Sequence, residues 1–340
     1  MLVDMDNLAT RYNSLSLLKM KMLTEAAVQR FLRLYERSFQ LMKGPFRTVE
    51  ANNGMDNMTV NELVDSFTLG IYGQQVTQLH AIMTLIALAG RGQSVNGGNY
   101  QIFENMIKAS SAKLKMNQTV TKIIKNMEDG KWTVTTAESS NKYDIVILAT
   151  PPHQSNITLI NIRDEITKVD YVQQHITLFT TNATHLGSSY MKMATPISFF
   201  VTRHLERQNT TKNLKLDVEV MSMSKLLYPT KEHLVKLSSP TYLNDAKLAK
   251  IFDEKANISW VYRKMWHAYP RAPPKNDANF PPINPDKGFY CANAFESFIS
   301  TMETQCLAAH NIIRLLLADY GYDEKAATLA DNYWIDTKSH

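Results

Sequence analysis

The sequence predicts an α/β (α+β) fold in which a small parallel-strand unit, open at one end, stands with a helical lobe and a mostly antiparallel sheet lobe. Three observations carry this. Tyr143-Asp-Ile-Val-Ile-Leu-Ala-Thr-Pro-Pro152 and Phe289-Tyr-Cys-Ala-Asn-Ala-Phe-Glu296 are apolar runs that stop abruptly at small or polar residues, the pattern of buried strands whose carboxyl ends open onto a crevice. The N-terminal segment carries helical periodicity, and from Thr119 onward the period changes to strand-like alternation.

The elements follow in order. Leu17 to Met42 reads as a helix with a break near Thr24; Val28, Phe31, Leu32, Leu34 and Tyr35 form an apolar stripe among charged neighbours, and Gly44-Pro45 ends it. Thr59 and Glu62 form a capping-box pair opening a second helix that stops at Gly70, and Gln75 to Ala89 reads as a third. After Gly97-Gly98, Tyr100 to Ala112 is amphipathic, with Ile102, Phe103, Met106 and Ile107 on one face. Asp129-Gly130 between Thr119–Ile124 and Lys131–Thr135 signals a β-hairpin, and Asp144 to Leu148 is the next strand. Further strands are expected at His175–Thr180, Pro196–Val201, Asp217–Met223 and Ile258–Tyr262, with one helix near Leu243–Asp253. The proline-rich stretches at Ala272-Pro-Pro-Lys275 and Pro281-Pro-Ile-Asn-Pro285 then return the chain to the parallel unit, where a last helix starts at Ser300.

Composition narrows the function. With 340 residues and 44% hydrophobic content the chain can bury a substantial core. The net charge of +5 has no Lys/Arg block behind it, which argues against nucleic acid. Only two cysteines occur, Cys291 in an apolar strand pattern and Cys306 in a helix pattern, without C-x-x-C or His-rich spacing, so metal and disulfide frameworks drop out. No span approaches the ~20 apolar residues of a transmembrane helix. Six N-x-S/T sequons, at Asn57, Asn117, Asn156, Asn182, Asn209 and Asn257, suggest a secretory route. Residues 1–10 carry no signal-peptide pattern. No Ser/His/Asp set with recognisable spacing is present, and His153, His267 and His310 read as satisfied or exposed histidines.

The junction of strand, loop and helix start at Phe289 to Asn311 offers backbone N–H groups and the positive end of a helix dipole, which suits a negatively charged ligand such as a nucleotide cofactor. Glycines such as Gly97 and Gly98 permit close backbone approach to a ring or phosphate, but they equally suit a helix-start turn. Glu296, an acidic residue after an apolar run, should find donors if buried, and is an ordinary loop glutamate if exposed.

The stretches Arg11-Tyr12 to Tyr35, Gly97-Gly-Asn99, Tyr143 to Pro151, Asn156-Ile-Thr158, Ala268-Tyr-Pro270 and Glu296 to Asn311 carry, in their order and spacing, a resemblance to the prenylcysteine oxidase (prenylcysteine lyase) family of amine-oxidase-like flavoproteins. The resemblance implies an FAD-binding Rossmann-like domain at 93–162 and 285–325, with 1–92 as the helical part of a substrate domain, 163–284 as its sheet and 326–340 as a tail. It implies FAD contacts at Gly97, Gly98, Val120, Ala149, Thr150, Pro151, Glu296, Ser300, Thr301 and Met302. Tyr269, read as lying in a proline-rich turn, would line the substrate pocket. The implied reaction oxidises the thioether of farnesyl- or geranylgeranylcysteine with molecular oxygen, giving cysteine, an isoprenoid aldehyde and hydrogen peroxide, in a lysosome or vacuole. One departure stands out: no G-x-G-x-x-G occurs, since Gly90-Arg-Gly92 is followed by Val95 where a third glycine would stand. The FAD-binding domain is therefore expected to be incomplete, the chain a fragment that neither holds FAD tightly nor turns over prenylcysteine. Another amine-oxidase-like oxidase or a non-catalytic fragment are the alternatives.

Overall fold

The computed structural model describes residues 2–3, 14–33, 64, 67–89, 94–184, 199–202, 220–223, 227, 229–252, 257–274 and 280–322. They fall into two compact units, one drawn from residues 1–27, 44–88 and 170–278 and the other from 28–43, 89–169 and 279–340. Each combines helices and sheet: the first holds an antiparallel sheet, the second a parallel pair and a mixed sheet.

In the first unit a six-stranded antiparallel sheet runs in the order β1-β8-β9-β10-β7-β11. Its strands are β1 (Leu2–Val3), β7 (Tyr171–Thr181), β8 (Phe199–Thr202), β9 (Val220–Met223), β10 (His233–Ser239) and β11 (Ile258–Pro270). One face is buried: Phe179, Val235 and Leu237 are fully covered, and Phe179 meets Phe252 edge-on just beyond helix α4 (Asp245–Ile251). Asn244 caps that helix by accepting from Lys247 N. The N-terminal part of this unit is not purely helical, because β1 joins the sheet beside β8.

The helical segments also differ from expectation. Helix α1 spans Ser14–Leu32 without a break, and the expected extension to Met42 lies outside the described residues, as does the Thr59–Glu62 capping box. The expected helix over Gln75–Ala89 is a 3-10 turn, Val76–Gln78, followed by α2, Ala81–Ala89. His80 makes the break: its Nδ1 accepts from Met83 N, so the ring caps α2 and the chain upstream cannot continue the same helix. Leu23 and Ala27 of α1 pack against Val64, Val76, Ala81 and Leu85.

The second unit holds the two-stranded parallel pair β5 (Val146–Leu148) and β12 (Phe289–Cys291), and a four-stranded sheet ordered β4-β3-β2-β6. The hairpin of β2 (Val120–Lys125) and β3 (Trp132–Thr136) is closed by Asn126 N donating to Lys131 O, with Gly130 at a positive φ. β4 (Ser140–Tyr143) and β6 (Thr158–Ile160) flank it, neither of them expected from the sequence. Ile123, Trp132, Leu148, Phe289, Tyr290 and Ile312 form its core, the last from helix α5 (Met302–Asp319). Lys125 and Asp286 clasp this core from one side, Nζ to Oδ1 at 2.6 Å. Helix α3 (Tyr100–Ser110) forms as expected, but its apolar stripe is uncovered: Phe103, Met106 and Ile107 are all exposed, and none of its residues is buried.

Candidate functional site

The parallel pair sets the geometry of the site. Leu148 and Cys291 stand side by side in register at the carboxyl ends of β5 and β12, so the segments that follow them leave the sheet together. Ala149, exposed, and Thr150 and Pro151, half-buried, follow β5 and lead into a 3-10 turn at Pro152–Gln154. After β12 the chain enters a second 3-10 turn, Ala292–Ser297. Glu296 therefore does not end the strand as the sequence suggested but sits within this turn. The turn is fixed because Ala294, Phe295 and Ser297 are buried, which curls the chain tighter than a strand would allow.

The Glu296 carboxylate accepts from Asn293 Nδ2 and from Ser300 Oγ, each at 3.1 Å. It is half-buried and internally held, which fixes the approach to the last helix. That helix starts at Met302 rather than Ser300, and Thr301 is its N-cap. Thr301 Oγ1 accepts from Thr304 N at 3.1 Å, and Thr304 Oγ1 accepts from Thr301 N at 3.0 Å, a reciprocal capping box. The Thr301 N–H is thereby used within the protein. The N–H groups of Ser300 and Met302 have no acceptor among the described residues, and they stand at the positive end of an 18-residue helix. This arrangement fits a ligand bearing acceptor oxygens or negative charge, brought against small residues at two adjacent strand ends.

Gly97 and Gly98 have φ of +88° and +123°, and they form the turn into α3. A Cβ at Gly97 would lie 2.8 Å from Gln101 Nε2, and one at Gly98 would lie 2.9 Å from the Tyr100 ring. Gly98 N donates to Val95 O, and Gln101 Nε2 donates to Asn96 O. The glycines are thus required by the turn itself. Gly98→Ala is expected to destabilise it by roughly 1–3 kcal/mol. Because α3 buries none of its residues, the loss should appear as faster amide exchange across Tyr100–Ser110, with the midpoint of global unfolding unmoved. Val120 opens β2 half-buried, packed on the core of Trp132 and Phe289, with a register irregularity between Val120 and Lys122.

All of these positions belong to one compact unit; Tyr269 belongs to the other. It lies in β11, not in a proline-rich turn, opposite Val172 and just past a register shift. Its ring meets that of Tyr72 edge-on at 6.1 Å, and burial raises its phenol pKa. Tyr72 is fully buried with a hydroxyl that makes no hydrogen bond among the described residues, and burial followed by the neighbouring Tyr269 phenol raises its pKa strongly. Tyr72 has no sequence signal that would have singled it out. Burial also pushes the Cys291 thiol up to about 12, so this cysteine is a core residue and not a nucleophile. No group of described residues could hold a metal ion.

A parallel pair whose strands end in register, one of them running through a short turn into a helix N-terminus, is an arrangement that open α/β folds use at ligand sites. Solved structures share the fold at low identity. An oxidoreductase from Methanosarcina mazei aligns with TM-score 0.50, 12% identical, over 85% of this chain and 69% of that one. A candidate protoporphyrinogen oxidase from Exiguobacterium sp. 255-15 aligns with TM-score 0.51, 12% identical, over 87% and 72%. The sequence profile of the prenylcysteine lyase family matches residues 1–328, and the chain belongs to that family. Farnesylcysteine lyase of Arabidopsis thaliana is 29% identical over 90% of this chain and 62% of its own length. Prenylcysteine oxidase 1-like of Bos taurus is 23% identical over 88% and 67%. The chain thus spans about two thirds of the length of the curated relatives it matches.

Proposed function

We propose that the protein is a flavin-dependent oxidase that cleaves the thioether of prenylcysteine, with FAD as cofactor and molecular oxygen as acceptor. Family membership supports the reaction class, and the site reading rests on the ending of β5 and β12 in register, followed after β12 by the 3-10 turn that leads to the open N–H groups of Ser300 and Met302. Bound there, the flavin would supply hydride acceptance from the isoprenoid carbon attached to sulfur and reoxidation by oxygen. The chain's own residues hold and orient. Ala149 to Pro151 leave room at the strand end, and Glu296 fixes Asn293 and Ser300. The α5 terminus would stabilise charge on a carbonyl oxygen by about 0.3–1 kcal/mol, more when partly buried. Water adds to the oxidised, sulfur-stabilised carbon, and the hemithioacetal collapses to cysteine and an isoprenoid aldehyde, with hydrogen peroxide formed from oxygen. Positioning in a dry site is enough for this chemistry, in keeping with the lack of an acid–base pair among the residues named.

The asparagines of the described sequons, Asn117, Asn156, Asn182 and Asn257, are all exposed, which supports glycosylation and a route to a lysosome or vacuole. At the length of its relatives the protein should release peroxide and aldehyde in equal amounts from S-farnesylcysteine; release from amines instead would defeat the assignment. Glu296→Ala should weaken flavin retention ten- to hundredfold, the 1.5–3 kcal/mol of a charged hydrogen bond, in a flavin titration of apoprotein. Unchanged affinity would make Glu296 a purely internal brace.

A further inference from the structure

Two Asn-Gly pairs occur in the sequence: Asn53-Gly54, which lies outside the described residues, and Asn96-Gly97. The second stands in the turn that leads into α3. Gly98 N donates to Val95 O at 2.9 Å and closes a turn with Asn96 and Gly97 at its centre. Gly97 has φ +88° while Asn96 stays outside the left-handed region, the type II pattern, in which the central peptide takes no part in the closing bond. Both residues are exposed, and neither the Asn96 carboxamide nor the Gly97 N–H has a hydrogen-bond partner among the described residues. We propose that Asn96-Gly97 is a self-modification site that converts spontaneously to isoaspartate and aspartate, and that the isoaspartyl product releases the turn into α3.

The chemistry needs an unhindered backbone nitrogen beside a free side-chain amide. Gly97 N, having lost its proton to hydroxide, attacks Asn96 Cγ. The N–Cγ bond forms, the Cγ–Nδ2 bond breaks, and Nδ2 takes up a proton and leaves as ammonia. Water then opens the cyclic imide at either carbonyl carbon, so asparagine plus water gives isoaspartate or aspartate plus ammonia, with no change of oxidation state. Gly97 has no Cβ to block the approach. The backbone rotation that brings N to Cγ is cheap, because α3, the element downstream, buries none of its residues and opens locally. Asn156 is the contrast within the same chain. It too is exposed in a turn, but the next residue is Ile157, β-branched, whose N–H donates to Ser155 Oγ. In the isoaspartyl product the main chain runs through Cβ and Cγ, longer by a methylene, and the former Asn96 carbonyl becomes a charged side branch. That carbonyl accepts from Gln101 Nε2 at 2.8 Å, and Val95 N donates to Asn99 Oδ1 at 2.8 Å across the same turn. A lengthened main chain cannot keep Gly98 N on Val95 O together with both of these bonds, so the first turn of α3 loses its anchor.

Incubation of the unglycosylated 340-residue chain in mildly alkaline buffer tests this, read by peptide mapping and by methyl transfer from S-adenosylmethionine with an isoaspartyl methyltransferase. Conversion at Asn96 is expected to run roughly tenfold or more faster than at Asn156, to rise with pH and to yield isoaspartate. Gly97→Ala should slow it by a similar factor. Gly98→Ala, which disturbs the same turn without crowding the attacking nitrogen, should leave it as fast or faster. The converted fraction should show faster amide exchange over Tyr100–Ser110 than the unconverted protein. Equal rates at Asn96 and Asn156, a Gly97→Ala rate unchanged, or equal slowing in the two glycine variants would overturn the proposal. Aspartate without isoaspartate would overturn it as well, since that product marks direct hydrolysis of the side-chain amide. Unchanged exchange in the converted fraction would overturn the release of α3.

Discussion

Gly288→Ala is expected to lower the stability of the unit containing β5 and β12 by roughly 2–5 kcal/mol. Gly288 has φ +77°, in the left-handed region, where a non-glycine residue costs about 1–2 kcal/mol. Space adds to this. A Cβ there would lie 2.9 Å from the backbone oxygen of Asp144 and 3.1 Å from Trp132 Nε1. Neither neighbour can yield cheaply, since Asp144 O belongs to the chain entering β5 and Trp132 is fully buried, so overpacking contributes about 1–3 kcal/mol more. Gly288 O also accepts from Val146 N, so a shift would strain the first rung of the parallel pair. Urea unfolding monitored by amide exchange in β3, β5 and β12 measures the effect, and a loss below about 1 kcal/mol would refute it. Flavin binding should fall with stability, because the two strand ends that shape the site are held in register by this contact.

Asp286→Ala is expected to cost about 2–4 kcal/mol, less than the 3–5 kcal/mol of a deeply buried pair because the Lys125 side chain keeps some contact with water. Asp286 is buried, and its Oδ1 accepts from Lys125 Nζ at 2.6 Å and from Lys287 N at 2.7 Å, its Oδ2 from Arg163 N at 3.1 Å. Burial pushes its carboxyl pKa up. The bonds from Lys125, Arg163 and Lys287 outweigh that, and the net direction is below the ordinary carboxylate value. The folded pKa being depressed, the carboxylate stabilises the fold above the unfolded value of about 3.9, and that contribution is lost as pH falls through the folded value. Wild-type stability should therefore drop below about pH 4 by an amount that Asp286→Ala no longer shows. Identical acid dependence in the two proteins would separate Asp286 from the pH response.

What could be read from the sequence was whatever local chemistry decides. Asp129-Gly130 places a hairpin because few residues other than glycine adopt a positive φ cheaply there, and the apolar runs before Thr150 and Ala292 place the parallel strands. Elements decided by distant partners were hidden. β11 extends to Pro270 through Lys264 and Arg263, charges that break the apolar pattern, because it pairs along the whole of β7. β10 was overlooked although Val235 and Leu237 bracket Lys236 in the expected alternation; three polar residues at its ends blur it. Around the site the strand ends were legible as abrupt stops. The curl that places Glu296 between Asn293 and Ser300 depends on burial of Phe295 and could not be seen from residue types alone. The cap was misplaced by one residue, since Ser300 and Thr301 offer the same hydroxyl chemistry and only the reciprocal bond with Thr304 separates them.

The brevity of β5 also bears on how copies of this chain behave in concentrated solution. Among the described residues it pairs with β12 alone, and Ile147 is largely uncovered, so a row of main-chain donors and acceptors is open to a foreign strand. Its neighbours limit what such a strand could gain. Upstream, the exposed ion pair of Asp144 with Lys131 is hydrated and costly to cover; downstream, Pro151 and Pro152 have no N–H to continue a ladder. A ladder between β5 and a foreign strand would therefore span three residues of this edge. The proline pair that turns the chain away from the sheet at the crevice is therefore also a gatekeeper against self-templated assembly.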